Sequence, residues 1–150
     1  MSGPKLRGTL IGLEIFTAVG AIAGAIFVVP GLPREWLAGS PFGDYTIPAL
    51  ALGILCGGGA IAAAIAVAWR PAVGGVLSVA AGAAMAIFEA VEVAAVGFMV
   101  VKFPTEPASY LQPFYFAIGL VMAGLGVLVR RDADASEGTP EAMAVHPGAA

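Results

Sequence analysis

The chain has 150 residues, of which 59% are hydrophobic and 11% are charged, and its formal net charge is −3. Soluble domains carry about 25% charged residues, so this composition excludes a soluble globular protein and predicts a chain solvated by lipid. The only cysteine is Cys56, and the only histidine is His146, in the polar C-terminal segment. These counts exclude an internal disulfide, dithiol redox chemistry, and a histidine-ligated haem or metal site within the bilayer.

Four apolar runs follow one another, at residues 8–29, 47–69, 73–101 and 113–129. Each is long enough, or nearly so, to cross a bilayer core of about 30 Å, which takes about 20 helical residues. Because lipid offers no hydrogen bonds, each run must pair its backbone groups internally and is predicted to be a helix. The sequence therefore predicts an all-α polytopic membrane protein, in which residues 1–131 form a bundle of four transmembrane helices.

Proline and polar residues mark the ends of these helices. Pro30 ends the first helix, and Asp44 or Thr46 caps the second. Pro48 lies in the first turn of the second helix and Pro113 in that of the fourth, where a missing N–H group costs little. This punctuation agrees with the helix limits that the apolar runs set.

The longest loop, PGLPREWLAGSPFGDYTIP, joins the first two helices and allows two interpretations. In the first, Pro33 starts a short helix over residues 34–37 that lies flat in the membrane interface, with Trp36 and Leu37 inward. In the second, the loop is a plain connector whose turns use its glycines. The sequence leaves both open.

The two ends of the chain carry different signals. A basic start precedes the first apolar run, and Ala21-Ile22-Ala23 resembles a signal-peptidase site. The run continues to Val29, however, and Glu14 interrupts its apolar core, so we expect a retained transmembrane helix.

Residues 132–150 are acidic, small and proline-bearing, which predicts a disordered cytoplasmic tail.

Lysine and arginine are distributed unequally between the two sides of the predicted membrane. One side collects Lys5, Arg7, Arg70, Arg130 and Arg131, and the other has Arg34 and Lys102. Because cytoplasmic segments are rich in these residues, this five-to-two ratio predicts that both termini are cytoplasmic. We expect a multi-pass protein of a bacterial plasma (inner) membrane.

Small residues recur at four-residue steps on several of the predicted helices. Such stripes let helices approach closely, because packing rather than expulsion of water holds helices together in lipid. The candidate packing residues are Gly12, Gly20, Gly24, Gly53, Gly57, Gly74 and Gly82. They predict flat faces that contact a neighbouring helix of the same chain, a second copy of it, or another membrane protein. The Gly57-Gly58-Gly59 run also marks a point where the second helix is able to loosen or kink.

Three glutamates lie within the apolar runs, and no lysine, arginine or histidine does. Glu89 and Glu92 are one helical turn apart in the third run and share a face, and Glu14 lies in the first run. In hydrocarbon these acids cannot all stay ionised, so each must be protonated, face a wet cavity, accept hydrogen bonds or bind a cation. They are the candidate proton or cation site, and the alternative is that they only hold helices together through hydrogen bonds.

Three segments resemble known membrane proteins. SPFGDYTIPAL and LQPFYFAIGLVMAGLG are similar to a group of uncharacterised small four-helix integral membrane proteins of high-GC bacteria. That resemblance covers most of residues 8–129 and implies the topology without implying an activity. IGLEIFTAVG superficially resembles the first helix of the small multidrug-resistance transporters, which bind protons and cationic drugs at a residue placed like Glu14. The likeness stops at Glu14, because the outer loop is longer here and the third helix has two further acids.

The sequence contains no nucleophile–base pair, phosphate-binding loop or metal-ligand cluster, so we expect neither an enzyme nor a cofactor, catalytic residue or metal site. We expect the lipid bilayer, rather than nucleic acid, as its environment and partner. The first hypothesis is a structural or accessory subunit that packs with itself or with another membrane protein through its glycine and alanine stripes. The alternative is a small proton- or cation-coupled transporter that uses Glu14, Glu89 and Glu92.

Overall fold

The computed structural model describes residues 3–137, which form four long helices joined by loops. We number the long helices α1 (Gly3–Gly31), α2 (Thr46–Trp69), α3 (Pro71–Val96) and α4 (Leu111–Glu137). All four are long and apolar enough to cross a membrane, and the described part of the chain contains no strand. The predicted all-α, four-helix membrane architecture is therefore confirmed.

The helices form one bundle in which α3 and α4 make the most extensive contact. Helix α2 packs against α3, and α1 packs against α2 and α4. Arg7 near the start of α1 pairs with Asp132 near the end of α4 at 3.8 Å, so both described ends lie together. We call this the terminal end of the bundle, and its core contains Leu6, Val67 and Val129.

Helices α3 and α4 approach closely because glycines face each other along their contact. A Cβ atom added to Gly82 would lie 2.4 Å from the carbonyl oxygen of Gly119, and one added to Gly126 would lie 2.7 Å from that of Gly75. No side chain fits at these distances. The two backbones therefore touch directly, as small residues permit in lipid.

The other candidate packing glycines divide into two groups. Gly20, Gly24, Gly53 and Gly57 face other helices, and a Cβ added to each would lie within 3.4 Å of a neighbouring side chain. Gly74 lies against the backbone at Val67, across the tight turn between α2 and α3. Gly12 is different, because nothing lies within 4 Å of its Cβ position. Of the predicted neighbours of Gly12, a helix of the same chain is therefore not in contact with it.

The observed helix limits differ from the predicted ones by more than two residues at the start of α1 and at the ends of α3 and α4. Helix α1 begins at Gly3 rather than residue 8. Helix α3 ends at Val96 rather than residue 101, because Gly97 has φ 88° and ψ 177°, a conformation nearly restricted to glycine. The Lys102 ammonium group donates to the Val96 carbonyl oxygen and so satisfies an acceptor that the helix end leaves free.

Helix α4 extends through residue 137, so the first six residues of the predicted disordered tail are helical. Arg130 pairs with Asp134 four residues later at 3.7 Å, and Ser136 Oγ donates to the Asp132 carbonyl oxygen. With the Arg7–Asp132 pair, these contacts hold the polar extension in helical form. The rest of the predicted tail, residues 138–150, lies outside the described residues.

Two helices contain wide turns at the end of the bundle opposite the termini. Residues Gly24–Val28 of α1 and Ala51–Gly58 of α2 are π-helical. The second segment ends in the glycine run where the sequence predicts a loosened helix. π-Helical segments are rare in proteins, and those that occur are frequently at functional sites. Their presence on two facing helices makes the space between these helices a candidate functional site.

The loop between α1 and α2 contains a short 3₁₀ helix, Arg34–Leu37, in which Trp36 and Leu37 are buried. The short helix and the inward Trp36 and Leu37 of the first predicted loop structure are therefore present. The Trp36 ring stacks on Phe103 from the loop between α3 and α4, with ring centroids 4.8 Å apart. Residues 32–45 and 97–110 thus pack together over one end of the bundle, and we call them the loop cap.

Polar contacts fix the last part of this loop before α2. The Asp44 carboxylate accepts a hydrogen bond of 2.8 Å from the Thr46 backbone N–H. The N-cap residue of α2 is Tyr45, however, rather than the predicted Asp44 or Thr46. The bond to Thr46 holds the pKa of Asp44 below its usual value, so it persists until the pH falls well into the acid range. The Tyr45 hydroxyl donates to the Pro33 carbonyl oxygen at 2.8 Å and closes the loop on itself.

Candidate functional site

A cavity of about 320 Å³ lies beneath the loop cap, between all four helices. Its walls come from the C-terminal halves of α1 and α3 and from the N-terminal halves of α2 and α4. Both π-helical segments contribute to the wall, through Gly24 on α1 and through Ala51 and Leu52 on α2. The wide turns therefore border this space.

Glu89 and Glu92 both line the cavity from α3. Glu89 is only 4% exposed, and its Oε2 atom has no hydrogen-bond partner. The two carboxyl groups are one turn apart on the same face of α3. Because neighbouring carboxylates in apolar surroundings repel each other and cannot both stay ionised, at least one of them holds a proton. The structure thus brings together two of the three predicted acids as a pair that holds a proton within an apolar wall.

Gln112 on α4 completes the polar part of the site. It is buried, its amide oxygen accepts from the Met99 backbone N–H at 2.9 Å, and its amide nitrogen lies 3.4 Å from the Gly97 carbonyl oxygen. The same residue lines the cavity beside Glu89 and Glu92. Gln112 therefore joins the cavity wall to the backbone of the loop cap where α3 ends.

Sequence reasoning did not select Gln112, although a signal was available. It is the only residue with a side-chain amide in the whole sequence, which contains no asparagine, and it lies beside the start of the fourth apolar run. A side chain with both donors and acceptors is costly to bury unless it has hydrogen-bond partners. A single glutamine at the start of an apolar run therefore indicated a buried polar cluster.

Aromatic rings form much of the remaining wall. They come from the loop cap, from α3 and from α4, and they are Trp36, Phe42, Tyr45, Phe88 and Tyr115. Gly20 on α1 makes room for one of them, because a Cβ atom at that position would overlap the Tyr115 hydroxyl. Burial raises the pKa of the Tyr45 hydroxyl, so this group stays neutral and keeps its proton across the physiological range.

Glu14 is separate from this cavity. It is fully buried near the terminal end, where Ser78 on α3 is hydrogen-bonded to its Oε1 atom. The Ser78 hydroxyl also lies 2.8 Å from the Gly74 carbonyl oxygen, yet it has one proton for these two acceptors. A protonated Glu14 that donates to Ser78 satisfies both contacts. Ser78 and Glu89 are 11 residues apart on one helix, about 16 Å along its axis.

No basic side chain pairs with any of the three glutamates in residues 3–137. The ion pairs of this segment are Arg7–Asp132 and Arg130–Asp134, both near the terminal end. Arg34 and Lys102 belong to the loop cap, but neither lines the cavity, and the Lys102 ammonium group donates to the Val96 carbonyl oxygen. The acid pair therefore faces the cavity without a cation of the described chain to balance a negative charge.

Metal coordination by a side-chain cluster is also not seen in the described residues. No group of three or more histidine, cysteine, aspartate or glutamate side chains is placed to hold a metal ion there. Glu89 and Glu92 are the two acids of the cavity wall, and Cys56 is buried behind it against Ala21 and Met85. The site offers two carboxyls, one amide and aromatic rings in apolar surroundings.

Comparison with protein-family models, with curated proteins and with solved structures finds no match. The cavity is the feature that bears on function. It combines an acid pair that holds a proton, an unpaired buried carboxyl oxygen, and an apolar, aromatic wall.

Proposed function

We propose that this multi-pass membrane protein is a small proton-coupled cation transporter whose acid pair, Glu89 and Glu92, binds proton and cation in turn. The observation that carries the proposal is the Glu89 carboxyl group, which is almost fully buried, has an unpaired oxygen and lines a cavity between four helices. An acid in the membrane interior is costly and is a candidate for function by default.

The physical basis of coupling is competition for one pair of carboxyl groups. With the cavity empty of cations, desolvation favours the protonated pair, because an unbalanced negative charge in apolar surroundings is expensive. A cation beside Glu89 supplies the missing balance and allows a proton to leave. Removal of the cation reverses the exchange, so proton and cation occupy the site alternately and their titration belongs to the pair.

The orientation proposed for the chain follows the distribution of its basic residues. Both termini lie in the cytoplasm of a bacterial cell, and the loop cap lies on the outer side of the plasma membrane. The cavity then lies in the outer half of the bilayer. Exchange with the cytoplasm requires the helix contacts near the terminal end to open, as alternating access demands.

Proton movement in proteoliposomes that contain a pH-sensitive dye tests this function. Gradients of Na⁺, K⁺, tetraethylammonium and benzyltrimethylammonium are imposed one at a time on the wild-type protein. We expect at least one gradient to drive proton movement in the opposite direction. In the Glu89→Gln, Glu92→Gln double variant, which has no carboxyl group in the cavity wall, the rate should fall to that of empty liposomes.

The matched control is Glu106→Gln, which removes the same charge from an exposed position in the loop cap. It should retain the wild-type rate, because Glu106 does not line the cavity. Proton movement in the folded double variant, or its absence under every cation gradient in the wild type, would contradict the transport function.

A second candidate function is that of a structural subunit that packs with a copy of itself. The observation that favours it is the outward face of α1, where Gly8 and Gly12 are exposed and open space surrounds their Cβ positions. Four-residue spacing of glycines is a known dimerisation pattern in membrane helices. If this function is correct, Gly8→Leu with Gly12→Leu should abolish crosslinked dimers in native membranes. Unchanged crosslinking in the double variant would contradict the structural-subunit function.

A further inference from the structure

We propose, on the basis of the transport function above, that the cargo is a monovalent organic cation with apolar substituents, of the quaternary-ammonium type. It would lie between the Glu89–Glu92 pair and the aromatic rings of the cavity wall. The observations that carry this inference are the oxygen supply of the cavity, its charge, its wall and its size.

The oxygen supply disfavours a bare inorganic cation. Small metal ions need about six oxygen ligands at short distances, and the cavity wall offers only the carboxyl groups of Glu89 and Glu92 as acids. The Gln112 carbonyl oxygen is occupied by the Met99 N–H, and the Tyr45 hydroxyl donates to Pro33. An organic cation has a diffuse charge and needs no shell of oxygen ligands, so it suits a wall with few oxygens.

The charge of the site points to a single positive charge. Because Glu89 and Glu92 are neighbours in the same apolar cavity wall, they cannot both stay ionised, so the pair holds at least one proton and carries at most one negative charge. In the described chain no basic side chain adds to this balance. A monovalent cation neutralises the pair, whereas a divalent one would leave an unbalanced charge in apolar surroundings.

The aromatic wall of the cavity is suited to both parts of an organic cation, its apolar substituents and its positive charge. Trp36, Tyr45 and Tyr115 present rings to the space that Glu89 faces. Aromatic rings attract a cation that lies over their faces, and quaternary ammonium groups are recognised by cages of such rings. A volume of about 320 Å³ is at the small end of the range for organic ligands, which predicts a compact molecule.

Binding of the cation is expected to release a fixed number of protons from the acid pair. With the cavity empty, the neutral form of the pair carries two protons. When a monovalent cation binds, one proton leaves the pair for the solvent, and the remaining proton joins the two carboxyl groups. The net charge of the occupied site stays zero. One proton should therefore appear for each cation bound.

Fluorescence of Trp36 provides a direct binding test. The sequence has two tryptophans, and Trp69 lies on the surface at the terminal end, so Trp69→Phe leaves Trp36 as the only reporter. The protein is placed in lipid nanodiscs and titrated with benzyltrimethylammonium, with its neutral carbon isostere neopentylbenzene, and with NaCl. Empty nanodiscs and free N-acetyltryptophanamide correct for partition and for collisional quenching. A weakly buffered sample with a pH indicator reports proton release.

We expect a saturable change in Trp36 emission with benzyltrimethylammonium, and at least about tenfold weaker binding of the neutral isostere. Glu89→Gln, with or without Glu92→Gln, should remove that preference, and Glu106→Gln should keep it. The single variant is included because it preserves the shape of the wall if the double variant fails to fold. Circular dichroism and elution volume identify folded samples.

Equal binding of the cation and its isostere, or no binding of either, would overturn the inference. Sodium-driven proton movement without organic-cation binding would also overturn it, while leaving the transport function intact. Conversely, saturable cation binding without proton release would support the cargo class and contradict proton coupling. The two proposals therefore fail in distinguishable ways.

Discussion

Replacing Gly82 by alanine is expected to destabilise the bundle strongly by forcing α3 and α4 apart. The new Cβ would lie 2.4 Å from the Gly119 carbonyl oxygen and 2.7 Å from the Ala123 nitrogen, and both of these are backbone atoms of α4. Backbone atoms in a helix cannot rotate away as a flexible side chain can, so α3 and α4 must separate. Overpacking of a core costs about 1–3 kcal/mol, and we expect the upper part of that range or more.

Thermal unfolding in detergent, followed by circular dichroism, measures this effect. The matched control is Gly124→Ala on α4, because nothing lies within 4 Å of the Cβ position of Gly124. The control removes a glycine from a helix interior and should be neutral or slightly stabilising, since alanine favours helices by up to about 1 kcal/mol over glycine. If the two variants unfold at the same temperature, α3 and α4 do not meet at Gly82.

Replacing Ser78 by alanine should produce the second large loss of stability. Ser78 is the hydrogen-bond partner of Glu14 across the contact between α1 and α3, and the other Glu14 carboxyl oxygen already has no partner. The substitution leaves a fully buried carboxyl group without a hydrogen bond, which costs about 1–3 kcal/mol. The free energy of unfolding should fall by this amount in a detergent or nanodisc titration.

A double-mutant cycle separates this hydrogen bond from simple loss of volume. Glu14→Met with Ser78→Ala replaces both polar groups by apolar ones, which is often nearly neutral. The double variant should therefore be more stable than the Ser78→Ala variant, with a coupling free energy of about 1–3 kcal/mol. Additive losses would mean that Glu14 and Ser78 do not depend on each other. Because Glu14 lies outside the cavity wall, these folded variants should keep the cation response of Trp36.

Local properties were enough to predict the architecture. The free energy of moving a segment from water into lipid depends on its own residues, so length and hydropathy identify four crossings without knowledge of their neighbours. The loop helix at Arg34–Leu37 was one of two structures that Pro33 and Trp36 allowed. The end of α3 was predicted too late because Val100 and Val101 are apolar, whereas the break depends on the backbone conformation of Gly97.

The direction in which each helix faces was not predictable in the same way. In water, the apolar face of a helix marks its inside, but lipid is as apolar as the protein interior and removes that signal. Gly12 and Gly82 are therefore equivalent in the sequence, yet one is exposed and the other lies against the α4 backbone. Likewise, only the packing of the helices distinguishes Glu14 from Glu89.

By itself, the sequence determined that this chain has four segments long and apolar enough to cross a membrane, and that three acids and no basic side chain lie inside them. The tertiary structure decided which acids meet. It joined Glu89 and Glu92 beneath a cap made by two loops, added Gln112, and sealed Glu14 against Ser78 elsewhere. The physical reason is that insertion into lipid is a property of single segments, whereas a cavity exists only between helices whose close approach is set by glycine contacts across the bundle.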